Sequence, residues 1–580
     1  MPLPTLRLIK RRGQQNNLIM TNQTTNNTFD AIVVGSGISG GWAAKELTEG
    51  ELKTLVLERG RNVEHITDYI TAWKNPWEFK NRFHLSNTDL EERPIQSSHC
   101  NATDKHFYVK DSEHPYIQEK PFKWIRGYQV GGRSLTWGRQ SYRFSDLDFE
   151  ANNKDGYGVD WPIRYDELKK WYDYVEDYVG ISGSLESLSH LPDGIFLPPI
   201  PMNAIEKHLK ESVSKHYSDR VIINGRVANL TEPKKGRGPC MYRNLCSRGC
   251  PFSGYFSSNS STLLDAYNTG NLTLRENSVV KEVIYDELTK KAVGVKIIDA
   301  VTKEEINYYA KIIFLNASAI ATAAILLNSV SQSFPDGLGN SSLQVGHNLM
   351  DHVVNEGTYG IYDGLLDKYY EGRSPGTIYV PRFQNLNPET KSTGFVRGYG
   401  IQGKGERENW ESKSTTGIGV SLKAQIETPG KWKISLGGRG EVLPNYENKI
   451  YLDHQNKDQW GLPLVKVHFE YGPNELAMME HMTKASEDIL RKSGFENVGS
   501  YRNSPPPGSA VHEMGTARMG NDPKTSVLNK YNQMHDVKNV FITDGSFMTS
   551  SGCQNPSLTY MAVTARASQF AIKMFKSNQL

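Results

Sequence analysis

Three glycines and one acidic residue near the start of the chain have the spacing that binds a dinucleotide. Gly35, Gly37 and Gly40 follow the apolar run 31–34 in G-x-G-x-x-G spacing, and Glu58 ends the next apolar run. Such glycines permit a tight turn, approach of a pyrophosphate to the backbone, and close packing of a helix on a strand. A carboxylate at Glu58 can accept hydrogen bonds from ribose hydroxyls and disfavours NADP. The fingerprint leaves FAD and NAD open, and a glycine turn without a ligand is the alternative.

Three of the five cysteines, Cys240, Cys246 and Cys250, lie close together in C-x5-C-x3-C spacing. Thiolates are soft ligands that suit zinc or an iron–sulfur cluster. No histidine stands at ligand spacing to complete a zinc site, and a proline follows Cys250, as in ferredoxin-type runs. We therefore favour an iron–sulfur cluster, with a zinc knuckle or uncoordinated thiols as the alternatives.

The hydrophobic pattern predicts the elements that position these residues. A strand at 31–34, a helix at 42–47 and a strand at 54–57 form a βαβ unit around the glycines. The other predicted elements of the first half and of the C-terminus are a glycine loop at 126–144, a helix within 161–183, an antiparallel meander of strands at 272–274, 279–285 and 292–298, a strand at 311–315 followed by an apolar helix, a strand at 539–543 and a long final helix starting at Pro556.

Residues 356–504 mostly lack helical periodicity. Stretches such as 417–426 and 432–436 alternate like strands, and one helix is expected near 475–492. The segment therefore predicts an antiparallel sheet that suits a substrate-binding lobe.

Length and composition narrow the class of protein. A chain of 580 residues with 37% hydrophobic residues and a net charge of +3 fits a soluble protein of two or more lobes, with no character of a nucleic-acid binder. Residues 1–28 predict a disordered leader, within which Met20 is an alternative start. The pair Arg11–Arg12 is not followed by the apolar core of a signal peptide, so export would depend on a partner.

Six motifs together resemble the glucose-methanol-choline (GMC) oxidoreductases from Phe29 to the C-terminus. They are GSGISG with Glu58, GGRSLTW, WPIRYDELKKWY, VGHNLMDH, HEMGTARMG, and ITDGSF with NPSLT. The resemblance implies FAD rather than NAD, and oxidation of an alcohol with hydride transfer to flavin N5. It implies a mixed α/β (α+β) fold with a discontinuous Rossmann-type FAD-binding domain (29–65, 121–145, 236–355 and 505–580, with an iron–sulfur loop at 239–251). The substrate-binding domain, built on an antiparallel sheet, would comprise 66–120, 146–235 and 356–504.

The same resemblance assigns site residues. It implies that His512 is the catalytic base and that Asn555 positions the substrate oxygen; the alternatives are a structural histidine and a helix N-cap. His347 and His352 are interpreted as structural. Thr136 stands where some relatives carry a histidine linked to the flavin, so non-covalent FAD is expected. The further residues expected at the cofactor are Gly132, Ser134, Val280, Asp544 and Gly545.

The cysteine spacing resembles that of the sugar-dehydrogenase branch, which includes bacterial glucose, fructose and glucoside 3-dehydrogenases. This implies a three-iron four-sulfur cluster on Cys240, Cys246 and Cys250, a cytochrome c partner, and a small subunit whose twin-arginine signal would carry the complex to the periplasm. Without such a partner a cytoplasmic location is expected. The substrate is expected to be a sugar or glycoside, with a preference for glycoside C3. A peroxide-forming oxidase and a non-catalytic binding protein are the alternatives.

Overall fold

The computed structural model describes residues 27–354, 357–368, 378–408, 416–501 and 505–580. Its strands are β1 (Thr28–Val34), β2 (Thr54–Leu57), β3 (Ile117–Gln118), β4 (Ile223–Asn224), β5 (Leu272–Arg275), β6 (Ser278–Asp286), β7 (Lys291–Asp299), β8 (Glu305–Leu315), β9 (Val353–Val354), β10 (Thr358–Tyr362), β11 (Ile378–Val380), β12 (Tyr399–Arg407), β13 (Trp432–Gly440), β14 (Lys449–Lys457), β15 (Pro463–His468), β16 (Glu496–Ser500) and β17 (Val540–Ile542).

The helices are α1 (Ile38–Glu49), α2 (Asn87–Glu92), α3 (Asp146–Phe149), α4 (Ala151–Asp155), α5 (Tyr165–Val179), α6 (Ala204–His216), α7 (Thr262–Asn268), α8 (Ala319–Asn328), α9 (Val420–Glu427), α10 (Pro473–Lys492) and α11 (Ser557–Lys576). Within the described ranges, no helix has the length and apolar character needed to cross a membrane.

The first sheet has the order β5-β2-β1-β8-β7-β6, with β17 also beside β8. Strands β5, β2, β1, β8 and β17 are parallel, and β6, β7 and the start of β8 form an antiparallel meander. The carboxyl ends of the parallel strands therefore meet at one edge, where an open α/β sheet places its ligand. The predicted strand at 272–274 exists, but its place in the meander was wrong, because β5 instead extends the parallel part beside β2.

The mostly buried strands of the parallel sheet explain why the first βαβ unit was readable from sequence. All four residues of β2 and the last four of β1 are buried, as strands covered on both faces must be. Helix α1 covers this sheet and packs against α11, and α11 also contacts α5. The predicted leader 1–28 includes Thr28, which instead begins β1. Residues 1–26, including Met20, lie outside the described residues.

The second sheet has the order β16-β10-β13-β12-β11-β4, with β9 also beside β13, and all of these pairings are antiparallel. Helix α10 lies at the predicted place and packs on this sheet through Met478 and Met482, against Gly440 and Gly438. The predicted antiparallel sheet is thus confirmed. A small third sheet, β14-β15-β3, stands beside it.

The prediction of a strand at 417–426 was wrong. Residues 420–427 form α9, which buries no residue. Alternation of side chains identifies a strand only when one face is buried against a core, and this segment has no such face. Its Leu, Lys, Ala and Gln residues are good helix formers, so local propensity prevails.

Candidate active site

Two glycine-rich loops meet at the carboxyl edge of the parallel sheet. A Cβ atom on Gly40 would overlap the carbonyl group of Gly35, so only glycine lets α1 pack so closely on the turn. Gly37 starts α1 without a capping side chain, and a Cβ there would meet no atom within 4 Å. Gly132 (φ +50°) comes from the second loop, where its Cβ would stand 3.2 Å from Gly37 Cα. The uncapped helix start therefore opens into space shaped by both loops, as a pyrophosphate requires.

Glu58 holds this turn together from the end of β2. One carboxylate oxygen accepts a hydrogen bond from Ser36 Oγ (2.5 Å), and the other accepts one from Gly60 N (3.0 Å). Ser36 Oγ in turn accepts from Gly131 N (2.9 Å), which ties the second loop to the first. Burial raises the pKa of Glu58, and these hydrogen bonds oppose the rise. The carboxylate borders the cavity described next.

A cavity of about 510 Å³ joins this edge of the parallel sheet to the antiparallel sheet. Gly35, Gly37 and Glu58 line one end, and His512 and Asn555 also line it. The cavity therefore connects the residues expected at a cofactor with the residues expected to do chemistry. The other predicted cofactor residues that line it are Gly132, Ser134, Val280, Asp544 and Gly545; Thr136 lines it as well.

His352 fixes the orientation and the proton of His512. Its Nε2 lies 2.9 Å from the Gly552 carbonyl oxygen and 3.2 Å from that of Ser551. Because carbonyl oxygens only accept, Nε2 must carry the hydrogen, and burial lowers the His352 pKa to about 4, which keeps the ring neutral. Its Nδ1 is then an acceptor for His512 Nδ1–H at 2.8 Å.

The consequence for His512 is that Nε2 carries a lone pair instead of a hydrogen. Burial lowers its pKa well below the usual value, and the positive charges of Arg439 and Arg133 lower it further. A neutral imidazole whose Nδ1 carries the proton offers Nε2 as a base. The backbone N–H of His512 donates to Asp351 Oδ1 (3.0 Å), which fixes the segment on which the ring stands.

Asn555 lies beside His512 on the cavity surface, and we call this pair the polar wall. Its Nδ2 lies 3.4 Å from His512 Nε2, and its Oδ1 accepts from Gln402 Nε2 at 2.5 Å. The bond from Gln402 fixes the amide so that its NH₂ group faces the imidazole. Asn555 directly precedes Pro556, the N-cap residue of α11. A hydroxyl between Nε2 and Nδ2 would meet one acceptor and one donor.

Buried charges surround this wall. Burial and the charge of Glu513 raise the pKa of Asp351 to about 7. Arg133 donates to Glu513 at 2.9 Å, so this cation and anion offset each other. Arg439 lines the same cavity, and its pKa is lowered by burial. The site is thus rich in buried groups whose charge depends on their surroundings.

The residues present fit FAD. Several buried polar atoms of cavity-lining residues have no hydrogen-bond partner within the described structure, and Asn316 Nδ2, Tyr560 OH and Glu513 Oε1 are among them. Buried polar atoms are normally paired, so these atoms indicate a polar ligand that would satisfy them. Gly545 is held close to the Glu513 carbonyl and the Tyr560 hydroxyl, where a Cβ would not fit.

Several predicted cofactor residues also have internal roles. Asp544 accepts from Ser546 N (2.9 Å) and from Thr322 Oγ1 (2.5 Å), which holds the turn after β17. The Ser134 hydroxyl donates to the Gly131 carbonyl. Val280 lies on β6, whose first residue, Ser278, donates its N–H to the Glu58 carbonyl. The backbone around Glu58 and the start of β6 thus form one end of the cavity.

The three cysteines of the predicted metal site are not gathered into a ligand set. All are partly buried, and no described group of three or more His, Cys, Asp or Glu residues is arranged to hold a metal ion. Gly254 lies near two of them: its N–H donates to Cys250 Sγ (3.3 Å), and a Cβ there would stand 3.1 Å from Cys240 Cα. The spacing of the three cysteines suits a metal site, but this structure does not bring their thiols together as ligands.

Sequence reasoning missed three residues of the site. His352 was interpreted as structural, yet it hydrogen-bonds His512 from 160 residues away. Gln402 and Arg439 were not singled out. They lie on the adjacent strands β12 and β13. The alternation of a single strand does not show which of its side chains faces the cavity. The one available signal was that His352, like His512, belongs to a motif shared with the family.

Taken together, the geometry defines a dinucleotide-binding oxidoreductase with a histidine–asparagine wall. The chain belongs to the GMC oxidoreductase family: its N-terminal domain profile matches residues 29–354 and its C-terminal domain profile matches residues 444–564. It is an FAD enzyme of that family, acting on CH–OH groups of alcohols or sugars.

Two curated relatives span nearly the whole chain. The 2-methyl-1,2-propanediol dehydrogenase of Mycolicibacterium austroafricanum is 27% identical, covering 95% of this chain and 96% of the relative. The fructose dehydrogenase large subunit of Gluconobacter japonicus is 25% identical, covering 96% and 100%. A formate oxidase structure from Aspergillus oryzae RIB40 superimposes with a TM-score of 0.60 at 15% identity, covering 95% and 99%, which supports the fold.

Proposed function

We propose that this protein is a dehydrogenase that oxidises a hydroxyl group of a sugar or glycoside, with non-covalent FAD as the first acceptor. One observation carries the proposal: His512 Nε2 and Asn555 Nδ2 stand 3.4 Å apart on the wall of the cavity that also contains the glycine fingerprint. A base and an amide donor at that separation suit a hydroxyl oxygen.

The residues of the chain have separate tasks in this reaction. His512 Nε2 takes the hydroxyl proton, and the Asn555 amide donates to the same oxygen. Gln402 holds Asn555, and His352 holds the His512 tautomer. When bound, FAD supplies the acceptor for the hydride that leaves the carbinol carbon, so that the alcohol becomes a carbonyl.

The final electron acceptor is a separate part of the proposal. The spacing of Cys240, Cys246 and Cys250 supports a three-iron four-sulfur cluster that would serve a cytochrome c partner, with export to the periplasm through a small subunit. Against it stands the arrangement of the three thiols, which does not form a ligand set among the described residues. Thiolate ligands are often ordered by the metal itself. Iron and acid-labile sulfide analysis of anaerobically purified protein tests the cluster, and absence of both would remove it.

A coupled assay tests the function. Purified protein should release FAD on acid precipitation, because Thr136 offers no covalent link. It should then reduce an artificial dye with one or more members of a panel of sugars, glycosides and polyols, without matching oxygen uptake. Oxygen uptake equal to substrate oxidation would make the protein an oxidase. A colourless protein that never reduces the dye would overturn the enzyme proposal.

A further inference from the structure

Arg439 lines the cavity, and the proposed reaction does not use it. It lies on β13, where the side chains of the even-numbered residues 432–440 are buried and the alternate residues are more exposed. Its side chain lines the cavity that also contains His512 and Asn555. A guanidinium at that position faces whatever binds between the two sheets.

No carboxylate of the described residues forms an ion pair with Arg439. Its Nη1 donates a hydrogen bond to the backbone carbonyl of Gly438 (2.9 Å). The other arginines that line the cavity differ from it: Arg59, Arg126 and Arg133 pair with carboxylates. Arg139 stacks over the ring of Tyr255.

The nearest acid does not change this conclusion. Asp351 is fully buried, and its oxygens accept the backbone N–H groups of Ala510 and His512. Its pKa is raised to about 7, so its charge compensates Arg439 only in part near neutral pH. Arg439 is half-buried on the cavity wall, and this burial lowers its pKa, because a cation removed from water without a partner is destabilised. A bound anion would remove that cost.

The strands leave space for such an anion. The register partner of Arg439 on β12 is Gly400, and the partner of Gln402 on β13 is Gly437. Glycine at both partner positions means that no cross-strand side chain stands between Arg439 and Gln402. Gln402 hydrogen-bonds Asn555, so Arg439 stands near the group that holds the reacting hydroxyl. An anion bound by Arg439 and that hydroxyl would therefore belong to one bound molecule.

We propose that Arg439 binds a carboxylate of the substrate, so that the hydroxyl oxidised at His512 belongs to a sugar acid rather than to a neutral sugar. Arginine suits this role because its planar group forms paired hydrogen bonds with a carboxylate. The inference rests on the proposed function and adds the class of substrate. It does not change the oxidation itself.

Gluconate and glucitol form a matched pair of substrates, since they share the carbon chain and differ in a terminal carboxylate against CH₂OH. A hydrogen bond to a charged group contributes about 1.5–3 kcal/mol, so wild-type kcat/KM for gluconate should exceed that for glucitol by about 10-fold or more. The preference should disappear in Arg439→Gln. It should persist in Lys433→Gln, which removes a cation from the same strand outside the cavity.

A binding measurement does not depend on turnover. Malonate should perturb the flavin absorption spectrum of the wild-type holoenzyme and bind at least about 10-fold tighter than neutral malonamide. Arg439→Gln should weaken malonate to the level of malonamide, while Lys433→Gln leaves it unchanged. If Arg439→Gln fails to hold FAD, comparing malonate with malonamide on the wild type still tests whether the site binds a carboxylate.

Two results would overturn the inference. One is equal binding of malonate and malonamide by the wild type; the other is a wild-type enzyme that oxidises neutral sugars at least as well as their acids. Either result leaves the oxidation itself intact. Failure of every acid and every neutral sugar to reduce the flavin, with malonate still bound through Arg439, would instead refute the proposed function.

Discussion

His352→Ala tests how the site prepares its base. The substitution removes the acceptor of His512 Nδ1–H, now bonded at 2.8 Å. Leaving a buried donor unsatisfied costs about 1–3 kcal/mol, which at 1.4 kcal/mol per tenfold disfavours the reactive tautomer by about 5- to 150-fold. We expect kcat/KM at pH 7 to fall within that range, with FAD content unchanged.

The pH profile distinguishes this cause from a loss of packing. Burial is the largest reason for the low pKa of His512. Removing His352 opens the His512 ring to water, so the pKa of His512 should rise and the acid limb of kcat/KM should move to higher pH. His352→Gln, whose side-chain carbonyl can accept from Nδ1, should recover part of the rate.

His347→Ala is the matched control. His347 belongs to the same VGHNLMDH motif, but it stacks on Tyr446 and does not line the cavity. Its removal should leave both the rate and the profile unchanged. The reasoning is refuted if His352→Ala keeps kcat/KM within about twofold of the wild type and the same acid limb, because the tautomer would then be set by another group.

Three further outcomes are expected. Gly40→Ala should lower Tm in both apo and holo protein, because the added Cβ would overlap the Gly35 carbonyl. Gly37→Ala should leave the apo Tm unchanged and weaken only FAD binding, because its Cβ would meet no protein atom within 4 Å. Calorimetry with and without FAD separates the two effects. Gln402→Leu should lower kcat/KM by up to about 10-fold by freeing Asn555, and steady-state assays showing no loss would remove Gln402 from the site. Wild-type kcat/KM should stay level from pH 7 to below pH 6, because the base is active when neutral and the His512 pKa is depressed; a decline already centred at pH 6.5 or above would contradict this.

Local features of the sequence predicted the nucleotide end of the site. The strand, glycine turn, helix and Glu58 lie within one short segment, where side-chain size and spacing alone determine the geometry. The pairing of His512 with His352, and of Asn555 with Gln402, depends on how two sheets face each other. Such contacts between distant segments produce no periodic pattern of hydrophobic residues in a single sequence, so they could not be predicted from it.

The errors have the same origin. The segment 417–426 alternates without a buried face, so the pattern carried no information about a sheet. The strand at 272–274 was real, but its neighbour β2 lies far back in the chain, and the alternation of the strand does not encode that pairing. The domain boundaries proposed from the resemblance stay a prediction.

Anaerobic single-turnover reduction of the bound flavin tests the central claim most directly. With a substrate that reduces the wild type, His512→Ala should retain FAD and bleach its absorbance at least about 100-fold more slowly, the usual contribution of a positioned base. Bleaching of the variant at the wild-type rate would contradict the assignment of His512 Nε2 as the group that takes the hydroxyl proton.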